Sequence, residues 1–248
     1  MITFQKWLFR KDFAMKKLLV ADYDNTFYTD EEQLYKNIED IKKFQEEGNI
    51  FVISTSRSWK SIKKEIDEYK IPFDYLCCNT GGTIFDNKGD SLFIGNIADS
   101  VINKVENILA KLNSKNISIT RYGTYKEYEE RVDKILGYKI KGNKEEIENL
   151  KEQLENILDK DFQIILKNEK EYSKLFLNYK LNTKERGIEK LIKILPDTEY
   201  KIITVGDDDV DFNMLKKYDG YRMNNSSKLL KENINKTVDS IAELLKIS

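Results

Sequence analysis

The feature that most constrains this chain is a set of short, nearly continuous apolar runs: "LLVA" at 18–21, "NIFVIST" at 49–55 and "KIITVG" at 201–206. A strand that is apolar at successive positions has no face for water, so it needs cover on both sides. A helical pattern follows each run. Asp30 with Gln33 forms a helix start, Leu34, Ile38 and Ile41 then share one face, and Gly48 is a stop. The second run leads into "RSWKSIKKEIDEYK", and Pro72 breaks the chain before a third strand, "FDYLCCN". Strands alternating with helices predict βαβ units and a parallel sheet buried on both faces.

The rhythm changes after Asn79. "GGTIFDNKGDSLFIG" reads as a hairpin around Asn87-Lys88-Gly89. A helix near 97–113 follows, then strands near 116–121 and 134–140, the amphipathic helix "KEEIENLKEQLENIL", and strands near 161–167 and 173–180. The parallel rhythm resumes with Asn182 and Glu185 as a capping pair before "KERGIEKLIKIL". The expected organisation is an α/β domain of residues 15–82 and 182–248, with an α+β unit inserted at 83–181. Residues 1–14 are either an extension of that fold or a short surface helix packing Trp7, Leu8 and Phe9.

Composition narrows the chemistry. Lys+Arg number 42 against 43 Asp+Glu, so overall charge gives no case for nucleic acid as a partner. Histidine is absent, which excludes Ser-His-Asp and Cys-His catalysis and His-ligated zinc or iron. Hydrolysis would have to run on carboxylates, lysine, hydroxyls, backbone amides or an oxygen-ligated cation. Cys77 and Cys78 are neighbours that point to opposite faces of a strand, so they read as small buried hydrophobes in a reducing compartment. No apolar run reaches the ~20 residues of a membrane span. The expectation is a cytoplasmic protein without a membrane partner, and the sequence specifies no oligomeric state.

The strands of the parallel domain end in polar residues: Asp22 and Asp24, then Thr55, then Asp207 to Asp211. In open α/β sheets the ligand site lies beyond the carboxyl ends of the strands, so these groups are expected to converge. Asp22, Asp24, Asp207 and Asp211 would repel one another unless a cation sat among them. Oxygen ligands without histidine point to Mg²⁺. Each piece also has a plain alternative: Asp22 or Asp24 as a turn residue, "GDDDVD" as a solvated turn, Thr55 as a strand-end hydroxyl, Lys184 as an exposed helix lysine.

Taken in order, these residues resemble the motifs of the haloacid dehalogenase-like phosphatases. Asp22, Asp24 and Thr26 match D-x-D-x-T, and Thr55, Ser56 and Arg57 are similar to T-G-R with serine for glycine. Lys184 matches the third motif, and Gly206, Asp207, Asp211, Met214 and Leu215 match G-D-x-x-N-D-x-x-M-L with Val210 for asparagine. "CNTGG" and Met223-Asn224-Asn225 are similar to segments of the Cof-like and sucrose-phosphatase-like branch. The resemblance implies a Rossmann-like parallel-sheet core with an inserted α+β cap domain, and a Mg²⁺-dependent phosphatase of small phosphorylated metabolites, sugar phosphates first. By that resemblance Asp22 is the nucleophile and Asp24 the acid/base. Thr55, Ser56, Arg57, Asn79, Lys184 and Asn225 contact substrate, and Asp22, Asp24 (through its carbonyl), Asp207 and Asp211 hold the metal. A phosphomutase, or a non-catalytic regulator that binds phosphate or Mg²⁺, is the alternative.

Overall fold

Leu18 and Val20 point to one side of the first strand, β1 (Lys16–Ala21), Leu19 and Ala21 to the other, and all four are fully buried. That two-sided burial is what the continuous apolar run requires. The computed structural model describes residues 15–95, 97–112, 116–158, 162–196 and 199–248. The segment holding Trp7, Leu8 and Phe9 lies outside them.

Helix α1 (Glu31–Glu46) starts at Asp30, whose carboxylate accepts from the Gln33 N–H at 2.8 Å. β2 (Ile50–Ser54), α2 (Trp59–Tyr69) and β3 (Tyr75–Cys78) follow, then β4 (Thr83–Asp86) and β5 (Ser91–Ile94). The next block is α3 (Asp99–Leu109), β6 (Ser118–Tyr122), β7 (Glu127–Tyr128), β8 (Gly137–Gly142), α4 (Lys144–Ile157), β9 (Phe162–Asn168) and β10 (Ser173–Tyr179). The chain returns through α5 (Lys184–Ile194), β11 (Tyr200–Gly206), α6 (Phe212–Lys217) and β12 (Tyr221–Met223). It ends with α7 (Lys228–Asn233), β13 (Thr237–Val238) and α8 (Ile241–Ile247).

Among the described residues, eight strands form one sheet in the order β13-β12-β11-β1-β2-β3-β4-β5. Pairings from β13 to β3 are parallel; β4 and β5 join antiparallel at the edge. One face packs on α1, α2 and α8, and the other on α5, α6 and α7. The chain leaves β1 toward β2 and β3, then crosses back to β11 on the opposite side. The strand order therefore reverses between β1 and β11, the point where an open α/β sheet forms a crevice.

Two local expectations change. The hairpin at 83–94 extends the core sheet, because β4 pairs with β3 from Cys78↔Thr83 to Tyr75↔Asp86. The second unit thus begins after Ile94 rather than at 83. Helix α5 is capped by Thr183, whose hydroxyl accepts from the Arg186 N–H at 3.2 Å, and not by Asn182. Asn182 is held in the turn after β10, with its N–H on the Tyr179 carbonyl, so it sits one residue too early to cap.

The inserted unit has its own five-stranded sheet, β7-β6-β8-β10-β9, among the described residues, with antiparallel pairings throughout. Tyr138, Ile140, Leu175 and Leu177 turn one face of it toward α3 and α4 and build a separate core. The fold is the expected α/β sheet domain with an inserted α+β cap. No helix among the described residues is long and apolar enough to cross a membrane.

Cys77 and Cys78 are both free and fully buried, on opposite faces of β3. Burial pushes the Cys77 thiol up to about 12 and raises Cys78 as well. A thiol that is neither exposed nor ionised reacts slowly. The native protein is expected to leave both unmodified by a disulfide reagent at neutral pH, and denaturant should release both. Fast labelling of either thiol in the native state would contradict their placement in the core.

Candidate active site

Asp22 sits one residue past β1, and its N–H still bonds the Val205 carbonyl at 3.0 Å, so the carboxylate stands at the rim of the sheet. The chain then turns back on itself, Phe27 N–H to Asp22 carbonyl and Tyr28 N–H to Tyr23 carbonyl. Asn25 takes a left-handed φ of 60° in this turn, a conformation asparagine enters more readily than most residues. The Thr26 hydroxyl reaches across to β11's end and donates to Asp207 Oδ1 at 2.7 Å.

Lys184 opens α5 and is almost completely buried. Its Nζ donates to the Asp22 carboxylate and, at 2.6 Å, to Asp211 Oδ1. The other oxygen of Asp211 accepts from the N–H groups of Asp207 and Asp208 at 3.0 and 3.1 Å. Gly206 makes this fold-back possible, since a Cβ there would stand 2.4 Å from the Asp211 carboxyl carbon. Asp211 thus organises the loop and the lysine together. It is 0% exposed, so removing either partner would strand a charge in the interior.

Carboxylate oxygens of Asp22, Asp207 and Asp211 lie within 4.8 Å of one another. Burial raises the pKa of Asp22, against the lowering effect of Lys184, and burial raises Asp207 too. Burial would by itself lower Lys184, but the facing Asp211 and Asp22 outweigh it and keep the ammonium charged. Three carboxylates against one ammonium leave an excess of negative charge in a buried site. The donors are hard oxygens, so the cluster can hold a divalent cation.

The Asp24 carboxylate is not part of that cluster. It faces Arg57, which grips both oxygens through Nε at 2.9 Å and Nη2 at 2.5 Å. The remaining guanidinium nitrogen pairs with Glu65 on α2, and Glu65 also accepts from the Tyr23 hydroxyl at 2.7 Å. The Arg57 guanidinium lies over the Tyr23 ring, 5.2 Å from its centroid. A planar guanidinium held at three edges fixes the carboxylate it grips.

The other residues singled out in the sequence separate. Thr55 is fully buried with its hydroxyl accepting from the Arg57 N–H at 3.1 Å, so it orders the loop, and Ser56 forms the wall. Asn225 is in the wall and donates to the Asn25 carbonyl at 3.2 Å. Asn79 has φ 51° and stands at the start of a left-handed stretch with Thr80 and Gly81. A Cβ on Gly81 would stand 2.2 Å from the Thr183 carbonyl oxygen, so only glycine lets this loop approach α5. The Asn79 Nδ2 bonds Thr83 and Gly123, its buried Oδ1 has no partner among the described residues, and the residue is in the lining of a cavity between the two units.

Two adjoining spaces result. One, of about 460 Å³, opens over Asp22, Asp24, Lys184 and Asp207. The second, of about 220 Å³, shares Ser56, Asp208 and Val210 with it and is roofed by Tyr122, Phe176 and Asn178 of the cap sheet. Glu65 and Ser227 were not singled out in the sequence. Nothing in a helix's exposed-looking glutamate announces an arginine partner eight residues earlier, and only the fold brings Ser227 beside Asp209, at 2.5 Å. Among the cap cations, Arg121 is buried in a two-point pair with Glu106 at 2.7 and 2.8 Å and serves the cap's own core.

A capped α/β sheet with a buried carboxylate–lysine cluster at its switch point defines a class of hydrolase core. The chain matches the family model for haloacid dehalogenase-like hydrolases over residues 19–131 and 124–243. It belongs to that family. Its fold is shared, over nearly the whole chain, by solved structures of low identity. TM0651 from Thermotoga maritima is 17% identical, with 94% of this chain and 98% of that one covered and a TM-score of 0.78. A HAD/COF-like hydrolase from Plasmodium vivax is 20% identical, covers 95% and 96%, and has a TM-score of 0.69. A subclass IIB sugar phosphatase is 15% identical, covers 94% and 98%, and scores 0.66. These show a shared fold. An uncharacterized protein of Mycoplasma capricolum is 34% identical over 101 residues, 38% of this chain and 38% of that protein, so the match spans well under half of that relative's length.

Proposed function

We propose that the chain is a Mg²⁺-dependent phosphatase of small phosphorylated metabolites, sugar phosphates first, working through an aspartyl-phosphate on Asp22. The observation that carries this reading is the placement of Asp22 on Lys184 beside Asp207 and Asp211, with Asp24 two residues away and separately held by Arg57.

In this reading an Asp22 oxygen attacks phosphorus and the bond from phosphorus to the leaving oxygen breaks. Asp24 gives that oxygen a proton, then takes one from the water that attacks the aspartyl-phosphate, so both carboxylates return to their starting state. Arg57 keeps Asp24 apart from the buried cluster, and in this reading it releases one Asp24 oxygen so that Asp24 enters the cycle protonated. Lys184 offsets negative charge on Asp22 and on the transferring group. Asp22 and Asp207 would hold Mg²⁺, with the Asp24 carbonyl as a further oxygen and Asp211 supporting the loop. When bound, Mg²⁺ would neutralise the phosphate and draw it to an anionic nucleophile. Ser56 and Asn225 would meet the phosphate from the wall, Thr55 would hold the loop beneath them, and Asn79 would face the leaving group from the lining of the adjoining cavity. Sugar phosphates fit first because the second cavity mixes amide and hydroxyl groups with apolar walls and is small. Other phosphorylated small molecules, such as pyridoxal phosphate, belong to the same test.

Purified protein with Mg²⁺ is expected to release phosphate from one or more sugar phosphates and from an aryl phosphate. EDTA should abolish release and added Mg²⁺ restore it. Release unaffected by EDTA would overturn the metal assignment. An isomeric sugar phosphate in place of free phosphate would make the chain a mutase, and no product from any substrate would end the phosphatase reading.

A further inference from the structure

The cap sheet has a second face, opposite α3 and α4, and its composition is unusual. Register places Lys141 opposite Lys174 and Lys174 opposite Lys167, so three lysines stand in one row across β8, β10 and β9. The adjacent row places Lys139 opposite Phe176 and Phe176 opposite Ile165. Directly opposed residues share a face, and like charges opposite one another destabilise a sheet. The neutral positions around them are Thr120, Gln163 and Asn178; the two rows that hold the lysines carry no carboxylate, whereas the Asn178 row ends through Tyr122 at Glu127 on β7. This accumulation stands out in a chain whose formal net charge is −1.

The lysines are not equivalent. Lys141 lies over the Tyr172 ring at 3.9 Å, and Lys174 pairs with Glu169 at 3.2 Å. Lys139 and Lys167 form no ion pair with a carboxylate among the described residues. Lys167, with Ile165, Phe176 and Asn178, lines the cavity that adjoins the Asp22 site. The acid in that cavity, Asp208, is on the opposite wall, where its carboxylate accepts from the Asp209 N–H at 2.8 Å. Lys167 is thus the lysine of this face that lines the space where a leaving group must go, and Lys139 stands across Phe176 from it, outside that lining.

We propose that this face recognises an anionic group on the leaving portion of the substrate, additional to the phosphate that is cleaved, with Lys167 as its contact and Lys139, across Phe176, adding attraction at longer range. Phe176 between them packs against the carbon skeleton, and Asn178, nearer the core, meets its hydroxyls. Lysine suits the task because its compact charge meets a phosphate or carboxylate without demanding one orientation. This inference rests on the phosphatase reading of the Asp22 site and names its substrate class: a sugar bisphosphate or a phosphorylated sugar acid, ahead of a neutral sugar monophosphate.

The test compares kcat/KM for a hexose 6-phosphate, a hexose 1,6-bisphosphate and a 6-phosphorylated sugar acid, with an aryl phosphate as the reference for turnover. The bisphosphate or the sugar acid is expected to be preferred at least about tenfold, as a charge-assisted contact allows, and the arm that wins tells phosphate from carboxylate. Raising ionic strength should shrink the preference. In the double variant Lys139→Gln/Lys167→Gln the preference is expected to collapse toward unity, whereas Lys104→Gln, the same charge change on exposed α3, should keep it. Equal kcat/KM for all three sugar substrates, or a preference that survives the double variant, would overturn the inference while leaving the phosphatase reading in place. If the aryl phosphate is not turned over either, that reading has failed. Calorimetric binding of the bisphosphate to wild type and double variant then decides on the lysine face alone, equal affinities counting against it.

Discussion

Asp22→Asn is expected to reduce phosphate release by at least about 10⁴-fold, the scale on which a lost nucleophile is felt, while leaving the fold intact. The amide keeps the shape of the carboxylate but cannot attack phosphorus. It also removes one of three crowded carboxylates from a buried cluster in which burial already raises the Asp22 pKa. Lys184 keeps its bond to Asp211, so no charge is stranded. The metal-free variant should therefore melt close to the wild type, and steady-state phosphate release beside a thermal melt checks both halves. Turnover within tenfold of the wild type would remove Asp22 from the mechanism. A large fall in melting temperature with lost activity would instead mean that the carboxylate holds the site together.

The parts of the fold that could be read from the sequence are those with one physical solution. β1, β2 and β11 are apolar on both faces, and only a sheet covered twice accommodates them. Their ends mark the crevice because strand order reverses between β1 and β11, which is why Asp22 and Asp207 could be placed together in advance. The hairpin at 83–94 was harder. Its alternating pattern fits an antiparallel strand in either sheet, and only pairing with β3 assigns it to the core. Thr183 and Asn182 are both good caps by residue type; the turn that closes on Tyr179 decides between them.

Within the site, what was legible is the placement of charged groups, and what was not is their pairing. Asp24 belongs with Asp22 by spacing, yet Arg57 and Glu65 draw its carboxylate away from the buried cluster. Asp211 looks like another acid of the loop, but both its oxygens are committed to Lys184 and to two backbone N–H groups. Lys184, which alone would pass for an exposed helix lysine, is 1% exposed. A sequence gives the inventory of such groups; which donor meets which acceptor depends on where separate loops stop.

Lys184→Met is expected to destabilise the metal-free protein by about 3–5 kcal/mol, the usual cost of stranding buried charge, and to lower the melting temperature by about 6–20 °C for a chain of this size. Methionine keeps the length of the side chain, so the loss tests charge more than volume. Asp22 would then face Asp211 without the ammonium that now bonds both. Burial already raises the Asp22 carboxyl, and losing the cation raises it further. A group whose folded pKa stands above its unfolded value adds stability at low pH and loses it as pH climbs through the folded pKa. The deficit against wild type should accordingly be smallest at acid pH and grow as pH rises, and Mg²⁺ should narrow it by binding only the folded form. Thermal melts of both proteins across a pH series, with and without Mg²⁺, make the comparison. A deficit independent of pH would assign the loss to packing. A variant as stable as wild type at every pH would show that Lys184 does not neutralise the cluster, and its part in the proposed chemistry would go with it.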